Sequence, residues 1–309
     1  PYIADFNGDG RAEVVVYDKV FDARTLTLLA DGNLLNDATM GFGLGAYPTT
    51  GTNYGSYMAI GDMDGDGLPE VVAGDCVYKV KITNTSGTSG NNFALWSKCD
   101  GTGPNGEVHN DVGDGPTAIA DMDGDGLLDV IVTVKGSVNK LSNNGSVYIW
   151  NPRTKKVLHQ NVINNIAVLS ASLGPSVPFI GDIDNDGEPE ICFTGYKRMY
   201  AFDYDAATKT LNPKWAQPTS DGSACTTMSM FDFNQDGYTE LVYRDETHLR
   251  IISGVTGKDK ATFEVNSGTG NEYPIVADVN GDVASEIIVV GCASGYTHGQ
   301  VWIYSSNQA

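Results

Sequence analysis

Acidic residues recur in this sequence in six short loops whose spacing is typical of a metal site. The loops follow the pattern D-x-[DN]-x-D-G-x-x-[DE], and their first aspartates recur every 46 to 61 residues, at Asp5, Asp62, Asp121, Asp182, Asp232 and Asp278. Side-chain oxygens at positions 1, 3, 5 and 9 and the backbone carbonyl at position 7 are hard oxygen ligands. Calcium takes roughly six to eight such ligands, so the pattern predicts one Ca²⁺ ion per loop, with water completing the shell.

The predicted ligands occupy the same five positions in each loop. In the first three loops they are Asp5, Asn7, Asp9, Arg11 and Glu13; Asp62, Asp64, Asp66, Leu68 and Glu70; and Asp121, Asp123, Asp125, Leu127 and Asp129. In the last three they are Asp182, Asp184, Asp186, Glu188 and Glu190; Asp232, Asn234, Asp236, Tyr238 and Glu240; and Asp278, Asn280, Asp282 and Glu286. Asparagine at position 3 keeps an oxygen ligand but removes one charge, which weakens the first, fifth and sixth sites.

The sixth loop departs from the pattern because Val283 replaces the glycine at position 6. Glycine there allows the positive φ that folds the loop back, whereas a β-branched residue is strained in that conformation. We therefore expect the sixth loop either to take another path or to hold a weak or empty site. Calcium is expected in the other five loops.

Two other structures share part of this pattern. An EF-hand loop is similar up to its sixth residue, but it requires flanking helices and a glutamate at position 12. Here the last acid falls at position 9, and β-branched runs follow it. A metal-free turn, in which aspartates accept hydrogen bonds from their own backbone, is the second alternative. Six copies at the same place in a repeat disfavour it, since the clustered carboxylates would repel one another without a cation.

The segments around the loops have the composition of short β-strands. An apolar stretch precedes each loop, a β-branched run such as EVVVY or EIIVV follows it, and two further strand-like stretches complete most units. Four short strands per unit of roughly 40–60 residues are typical of a propeller blade. The sequence predicts an all-β protein, a β-propeller with six visible four-stranded blades in one domain over residues 1–309, the last blade being incomplete.

The repeated A-D-x-[DN]-G-D-G-x-x-[DE]-[VIL]-[VI] motif resembles the FG-GAP/VCBS repeats of integrin α-subunit propellers and of many bacterial secreted proteins. The resemblance covers nearly all of the chain. It implies structural calcium at the blade periphery and loops that bind protein or carbohydrate partners. It also implies an extracellular or cell-surface location, and it allows a seventh blade in a longer protein of which this chain is a fragment.

Charge and hydropathy exclude several function classes. The net charge of −20 disfavours nucleic acid, whose phosphates require a basic surface. No run of about 18 apolar residues exists, so we expect no transmembrane segment. The loops at 33–55, 84–92 and 101–115 are candidates for contacting a partner.

The five cysteines bear on the cellular compartment. Cys76 begins the third strand of the second unit and Cys99 ends its fourth, and we expect the two to form a disulfide across a hairpin in an oxidising compartment. The sequence leaves open whether Cys192 and Cys225 pair. The equivalent partner of Cys292 would lie in a fourth strand that the sequence does not contain.

Catalytic motifs are absent from the sequence. The four histidines, His109, His159, His248 and His298, occupy unrelated contexts, and we expect surface or loop positions for them rather than a general base. A binding or adhesion module is therefore favoured over an enzyme. The enzymatic alternative is a calcium-dependent polysaccharide lyase, for which Lys197 and Arg198 are candidate basic residues.

Overall fold

The structure, a computed structural model, describes residues 1–34, 41, 56–134, 144–168, 175–224, 226–267, 273–292 and 299–305. Strands and turns account for this part of the chain, and no helix occurs in it, so it includes none that could cross a membrane. The strands form six antiparallel sheets, one per acidic loop. The predicted all-β propeller is confirmed.

Each sheet is one blade, numbered here in chain order. Blade 1 contains β1 (Tyr2–Ala4), β2 (Glu13–Val16), β3 (Lys19–Asp22) and β4 (Leu28–Asp31). Blade 2 contains β5 (Ala59–Gly61), β6 (Glu70–Ala73), β7 (Cys76–Lys81) and β8 (Asn92–Lys98). Blade 3 contains β9 (Thr117–Ala120), β10 (Asp129–Val134), β11 (Gly145–Asn151), β12 (Lys156–Val157) and β13 (Ile163–Ile166), the last of which also pairs with β11.

The remaining three blades repeat the arrangement. Blade 4 contains β14 (Phe179–Gly181), β15 (Glu190–Gly195), β16 (Arg198–Asp205) and β17 (Thr210–Pro218). Blade 5 contains β18 (Ser229–Phe231), β19 (Glu240–Arg244), β20 (His248–Ser253) and β21 (Asp259–Glu264). Blade 6 contains β22 (Ile275–Ala277), β23 (Glu286–Cys292) and β24 (Gly299–Tyr304).

The acidic loop always joins the first strand of a blade to the second. In the strand register, the residue before the loop pairs with the acid at loop position 9, as in Gly61 with Glu70 and Ala120 with Asp129. The loop is thus the turn of a hairpin closed at its base by ladder hydrogen bonds. First strands of neighbouring blades contact each other, as β5 does with β9 and β18 with β22. The strand ladders therefore hold each loop at the same place in its blade.

Apolar side chains on the two faces of a blade pack against different neighbours. In blade 3, Val130 and Trp150 pack against blade 2, whereas Ile131 and Ile149 pack against blade 4. Every residue of β10 is buried, because a blade covers each face of the sheet. Continuous β-branched runs, rather than apolar–polar alternation, are what such a doubly covered strand requires. Similar clusters join blades 1 and 2, 4 and 5, and 5 and 6.

Blade 6 has one covered face and one exposed face. Ile287 and Val289 pack against blade 5. On the other face, Val301 and Ile303 are 64% and 59% exposed, although the equivalent residues of blade 3 are fully buried against blade 4. The third strand of blade 6 is also its last in the described part of the chain, as the sequence predicts.

The predicted disulfide between Cys76 and Cys99 is wrong. The register pairs Cys76 with Lys98, so Cys99 lies one residue further along, opposite Asp75. Since successive strand residues point to opposite faces, the two thiols lie on opposite sides of the sheet. Cys76 packs towards blade 1 and Cys99 towards blade 3, and both are free and buried. Cys225, the other half of the undetermined pair, lies outside the described residues.

Candidate metal centres

The acid at loop position 9 is buried in all six blades and fixes the start of its own loop. One carboxylate oxygen of Glu70 accepts a hydrogen bond of 2.8 Å from the backbone N–H of Met63, at position 2. The equivalent bond recurs in every blade, at 2.8 to 3.2 Å, to Phe6, Met122, Ile183, Phe233 and Val279. The second carboxylate oxygen is not used by this bond.

The aspartates at positions 1 and 5 hold the turn itself. In blade 2, Asp62 accepts hydrogen bonds from the backbone N–H groups of Gly65, Asp66 and Gly67. Asp66 in turn accepts one from the N–H of Leu68, at position 7, over 2.9 Å. The position 7 residues of the other loops are held in the same way, at 2.8 to 2.9 Å: Arg11, Leu127, Glu188, Tyr238 and Ala284. The loop backbone is therefore fixed before any ligand binds.

Position 6 adopts the left-handed conformation in every loop. Gly67 has φ of 88° and Gly187 has φ of 92°. Val283 has φ of 76°, and its N–H still donates to Asp278, over 3.1 Å. Of the two outcomes expected for the sixth loop, a different backbone path is wrong. The loop keeps the path and accepts a strained valine, which costs about 1–2 kcal/mol for a left-handed L-residue.

Three loops bring three carboxylates together closely enough to hold a metal ion. The groups are Asp62, Asp64 and Asp66; Asp121, Asp123 and Asp129; and Asp182, Asp184 and Glu190. In each group one oxygen per residue lies within 4.8 Å of the others. The sequence predicts all nine of these residues as ligands. The other predicted ligands of these loops are Leu68 and Glu70, Asp125 and Leu127, and Asp186 and Glu188, and they lie in the same turns.

Two buried carboxylate oxygens in these groups accept no hydrogen bond from any described residue. They are Oδ1 of Asp129, a residue with no exposed surface, and Oδ1 of Asp184. A buried acceptor without a donor costs about 1–3 kcal/mol unless another positive group satisfies it. Hard oxygen donors in this state are suited to a hard cation.

Burial also raises the pKa of several loop acids. Removal from water, with the nearby Asp64 charge adding to it, raises the pKa of Glu70 to about 7. Burial and the Asp123 charge likewise raise the pKa of Asp129 to about 7. Both shifts show that the ionised carboxylates are destabilised in the loop as it stands. A bound cation would reverse that effect.

The first, fifth and sixth loops have the same backbone but a looser set of acids. Their asparagines at position 3 provide hydrogen-bond donors that carboxylates lack. The side chain of Asn234 donates to Asp236 over 2.9 Å, and that of Asn280 donates to Asp282 and Glu286 at 3.0 Å each. These amides use acceptor atoms that a metal ion would require. In the fifth and sixth loops these bonds are a physical reason to expect weaker metal binding, and the sites themselves stay predictions.

Sequence reasoning missed the basic side chains at these loops. Lys79 of β7 lies 3.0 Å from Asp66 and also contacts Asp64, and Lys214 of β17 lies 2.5 Å from Asp184. The two lysines come from different strands of their blades, so no fixed spacing relates them to the motif. The one available signal was their place on strands that pair within the same sheet.

The candidate basic residues of a lyase lie far from the carboxylates. Lys197 lies in the turn between β15 and β16 and Arg198 begins β16, at the end of β15 opposite to Glu190. His109 and His159 lie in loops, as expected, but they are buried rather than on the surface. Burial lowers the pKa of His159 to about 4, so this imidazole is neutral at physiological pH. His298 lies outside the described residues.

Comparison with known proteins supports the blade assignment. The family model of the FG-GAP-like repeat matches residues 121–193 and 182–243, which include most of blades 3 and 4 and the start of blade 5. No curated protein sequence matches the chain at a significant level.

Solved structures share the fold at low sequence identity. The V. cholerae biofilm matrix protein Bap1 superposes with a TM-score of 0.56 at 16% identity, over 99% of this chain and 68% of Bap1. The Bacillus licheniformis rhamnogalacturonan lyase PL11 gives a TM-score of 0.50 at 14% identity, over 97% of this chain and 58% of the lyase. The chain thus spans little more than half the length of the lyase. The six sheets and these structural neighbours show that the chain is a β-propeller, and the family match identifies FG-GAP-like repeats within residues 121–243.

Proposed function

We propose that this propeller is an extracellular binding or adhesion module stabilised by calcium. The observation that carries the proposal is the close grouping of three carboxylates in each of blades 2, 3 and 4, whose mutual repulsion a bound cation would relieve. The fold supports the location, because Bap1, which shares it, is a biofilm matrix protein.

Calcium would be held in each loop by the side chains at positions 1, 3, 5 and 9 and by the carbonyl at position 7. In blade 3 these are Asp121, Asp123, Asp125 and Asp129, with the carbonyl of Leu127. Calcium bound there would neutralise the charge of these carboxylates. The chain itself supplies the rest: backbone N–H groups orient Asp121, and Met122 fixes Asp129. The role of the ion in this proposal is structural, and it stabilises the surface that meets the partner.

The partner is proposed to be a protein or a carbohydrate that contacts the loops connecting the blades. Residues 101–115 form such a loop between blades 2 and 3. Residues 84–92 instead join β7 to β8 within blade 2, and most of the third candidate, 33–55, lies outside the described residues. A strongly negative chain is poorly suited to nucleic acid. Lyase activity is the less favoured function, since Lys197 and Arg198 are separated from the carboxylate group of blade 4 by the length of β15.

A glycan array and a uronate-polysaccharide cleavage assay, both with calcium and with EDTA, test this proposal together. The expected result is calcium-dependent retention of a defined set of glycans, or of a protein ligand, without cleavage. Asp64→Asn, which removes one loop charge in blade 2, should weaken this retention at limiting calcium. Calcium-dependent release of unsaturated sugars would contradict the binding-module proposal and favour the lyase.

A further inference from the structure

The ammonium group of Lys79 lies among the carboxylates of the acidic loop of blade 2, so a side chain of the protein supplies a positive charge there. Its ammonium contacts Asp64, lies 3.0 Å from Asp66 and lies 3.7 Å from Glu70. Three of the carboxylates predicted to bind metal in this loop are therefore neutralised in part by one lysine.

In blades 4 and 5 a lysine of the fourth strand forms ion pairs with the acids of the loop. Lys214 of β17 lies 2.5 Å from Asp184 and 2.9 Å from Glu190, two of the three carboxylates grouped in that blade. In blade 5, Lys260 of β21 pairs with Glu240. In all three blades the ammonium lies near the acid at loop position 9, although the lysine comes from the third strand in blade 2 and from the fourth in blades 4 and 5.

Blade 3 has an arginine in the corresponding role, whereas blade 1 has no such cation among its described residues. The guanidinium of Arg153 donates to the carbonyls of Met63 and Leu128, and it lies 3.8 Å from the buried Asp129. It lies 3.2 Å from the more exposed Asp125. In blade 1, no basic side chain of the described residues forms an ion pair with the loop acids Asp5, Asp9 and Glu13.

We propose that Lys79, Lys214 and Lys260 are built-in cations of loops 2, 4 and 5, which stabilise these loops without metal and lower their affinity for it. The inference rests on the proposed calcium binding and adds one residue that lowers the calcium affinity of each of these three sites. A divalent ion that binds these carboxylates must displace the ammonium or remain beside it, and either process opposes binding. A unit charge about 4 Å from a divalent ion changes its affinity by roughly tenfold or more even in water. Each of loops 2, 4 and 5 should therefore bind calcium more weakly than the same loop would without its lysine.

Trp96 makes the site in blade 2 separately measurable. Its ring centroid lies 5.6 Å from the ammonium of Lys79, close enough to sensitise the luminescence of terbium bound at Asp64 and Asp66. EDTA-stripped protein is titrated directly with terbium. The emission that disappears in Trp96→Phe reports on loop 2 alone.

Lys79→Met keeps the length of the side chain and removes its charge, and Lys81→Met removes an exposed charge from the same strand as a matched control. We expect Lys79→Met to lower the terbium midpoint at loop 2 by about tenfold or more. It should also lower the melting temperature in EDTA, while Lys81→Met behaves as the unmodified protein in both measurements.

An unchanged midpoint in Lys79→Met would overturn the proposal. If Lys79→Met does not fold, Lys214→Met with calorimetric calcium titration applies the same criterion in blade 4. Absence of Trp96-dependent emission and of any calorimetric calcium binding in the unmodified protein would instead refute calcium binding itself. The two failures are thus distinguishable.

Discussion

Replacing Val283 by glycine should stabilise the metal-free protein, although it removes a hydrophobic side chain. Val283 holds φ of 76° at loop position 6, where the equivalent residues of the other five loops are glycines at positive φ. It is 92% exposed, so its removal loses almost no packing. Relief of the left-handed strain contributes about 1–2 kcal/mol. The greater freedom of glycine in the unfolded chain subtracts about 0.4–1 kcal/mol, which leaves a net gain of about 1 kcal/mol.

The matched control is the reverse substitution at the same position of blade 2. Gly67 has φ of 88° and open space where a β-carbon would lie, so Gly67→Val should cost about 1 kcal/mol through backbone strain alone. Urea unfolding in EDTA measures both free energies without a contribution from bound metal. A destabilised Val283→Gly variant, or a Gly67→Val variant as stable as the parent, would refute the left-handed requirement at this position.

Three further predictions follow from burial, register and loop chemistry. Cys76 and Cys99 should both be alkylated in denaturant without reductant, and a disulfide-linked peptide in the digest would contradict the register. Since the pKa of His159 is about 4 when folded and about 6.5 when unfolded, the unfolded chain binds more protons between these values. The stability that this group contributes should be complete above pH ~6.5 and decline by up to about 3 kcal/mol as the pH falls through 4. His159→Gln should show a shallower decline of the free energy of unfolding with pH. An equal slope in the two proteins would exclude His159 as the cause. In calcium, Asp64→Ala should lower the melting temperature more than Asp282→Ala, whereas equal losses would contradict the ranking of the two loops.

The repeat was sufficient to predict the fold because every unit has the same local sequence pattern. Each loop has a fixed spacing between Asp at position 1 and the acid at position 9, and this spacing closes one hairpin. The β-branched runs after Glu70 and Asp129 specify strands covered on both faces. The six sheets, their strand order and the three strands of the sixth blade in the described residues all follow from these local features.

Features that depend on long-range register were not predictable. Cys76 and Cys99 occupy the correct strands for a disulfide, but a shift of one residue in pairing places them on opposite faces. The basic partners of the loops were missed for a similar reason. Lys79 and Lys214 occupy different strands, and only the three-dimensional sheet brings both ammonium groups to the carboxylates.

Calcium binding by the repeated acidic loops can be tested by counting the ions bound per chain. Native mass spectrometry measures this number on EDTA-stripped protein that has been returned to millimolar calcium. Several bound ions, approaching five, are expected, with the sixth loop filled last. A chain that binds no calcium, or a single ion, would contradict the claim that the repeated acidic loops are metal sites.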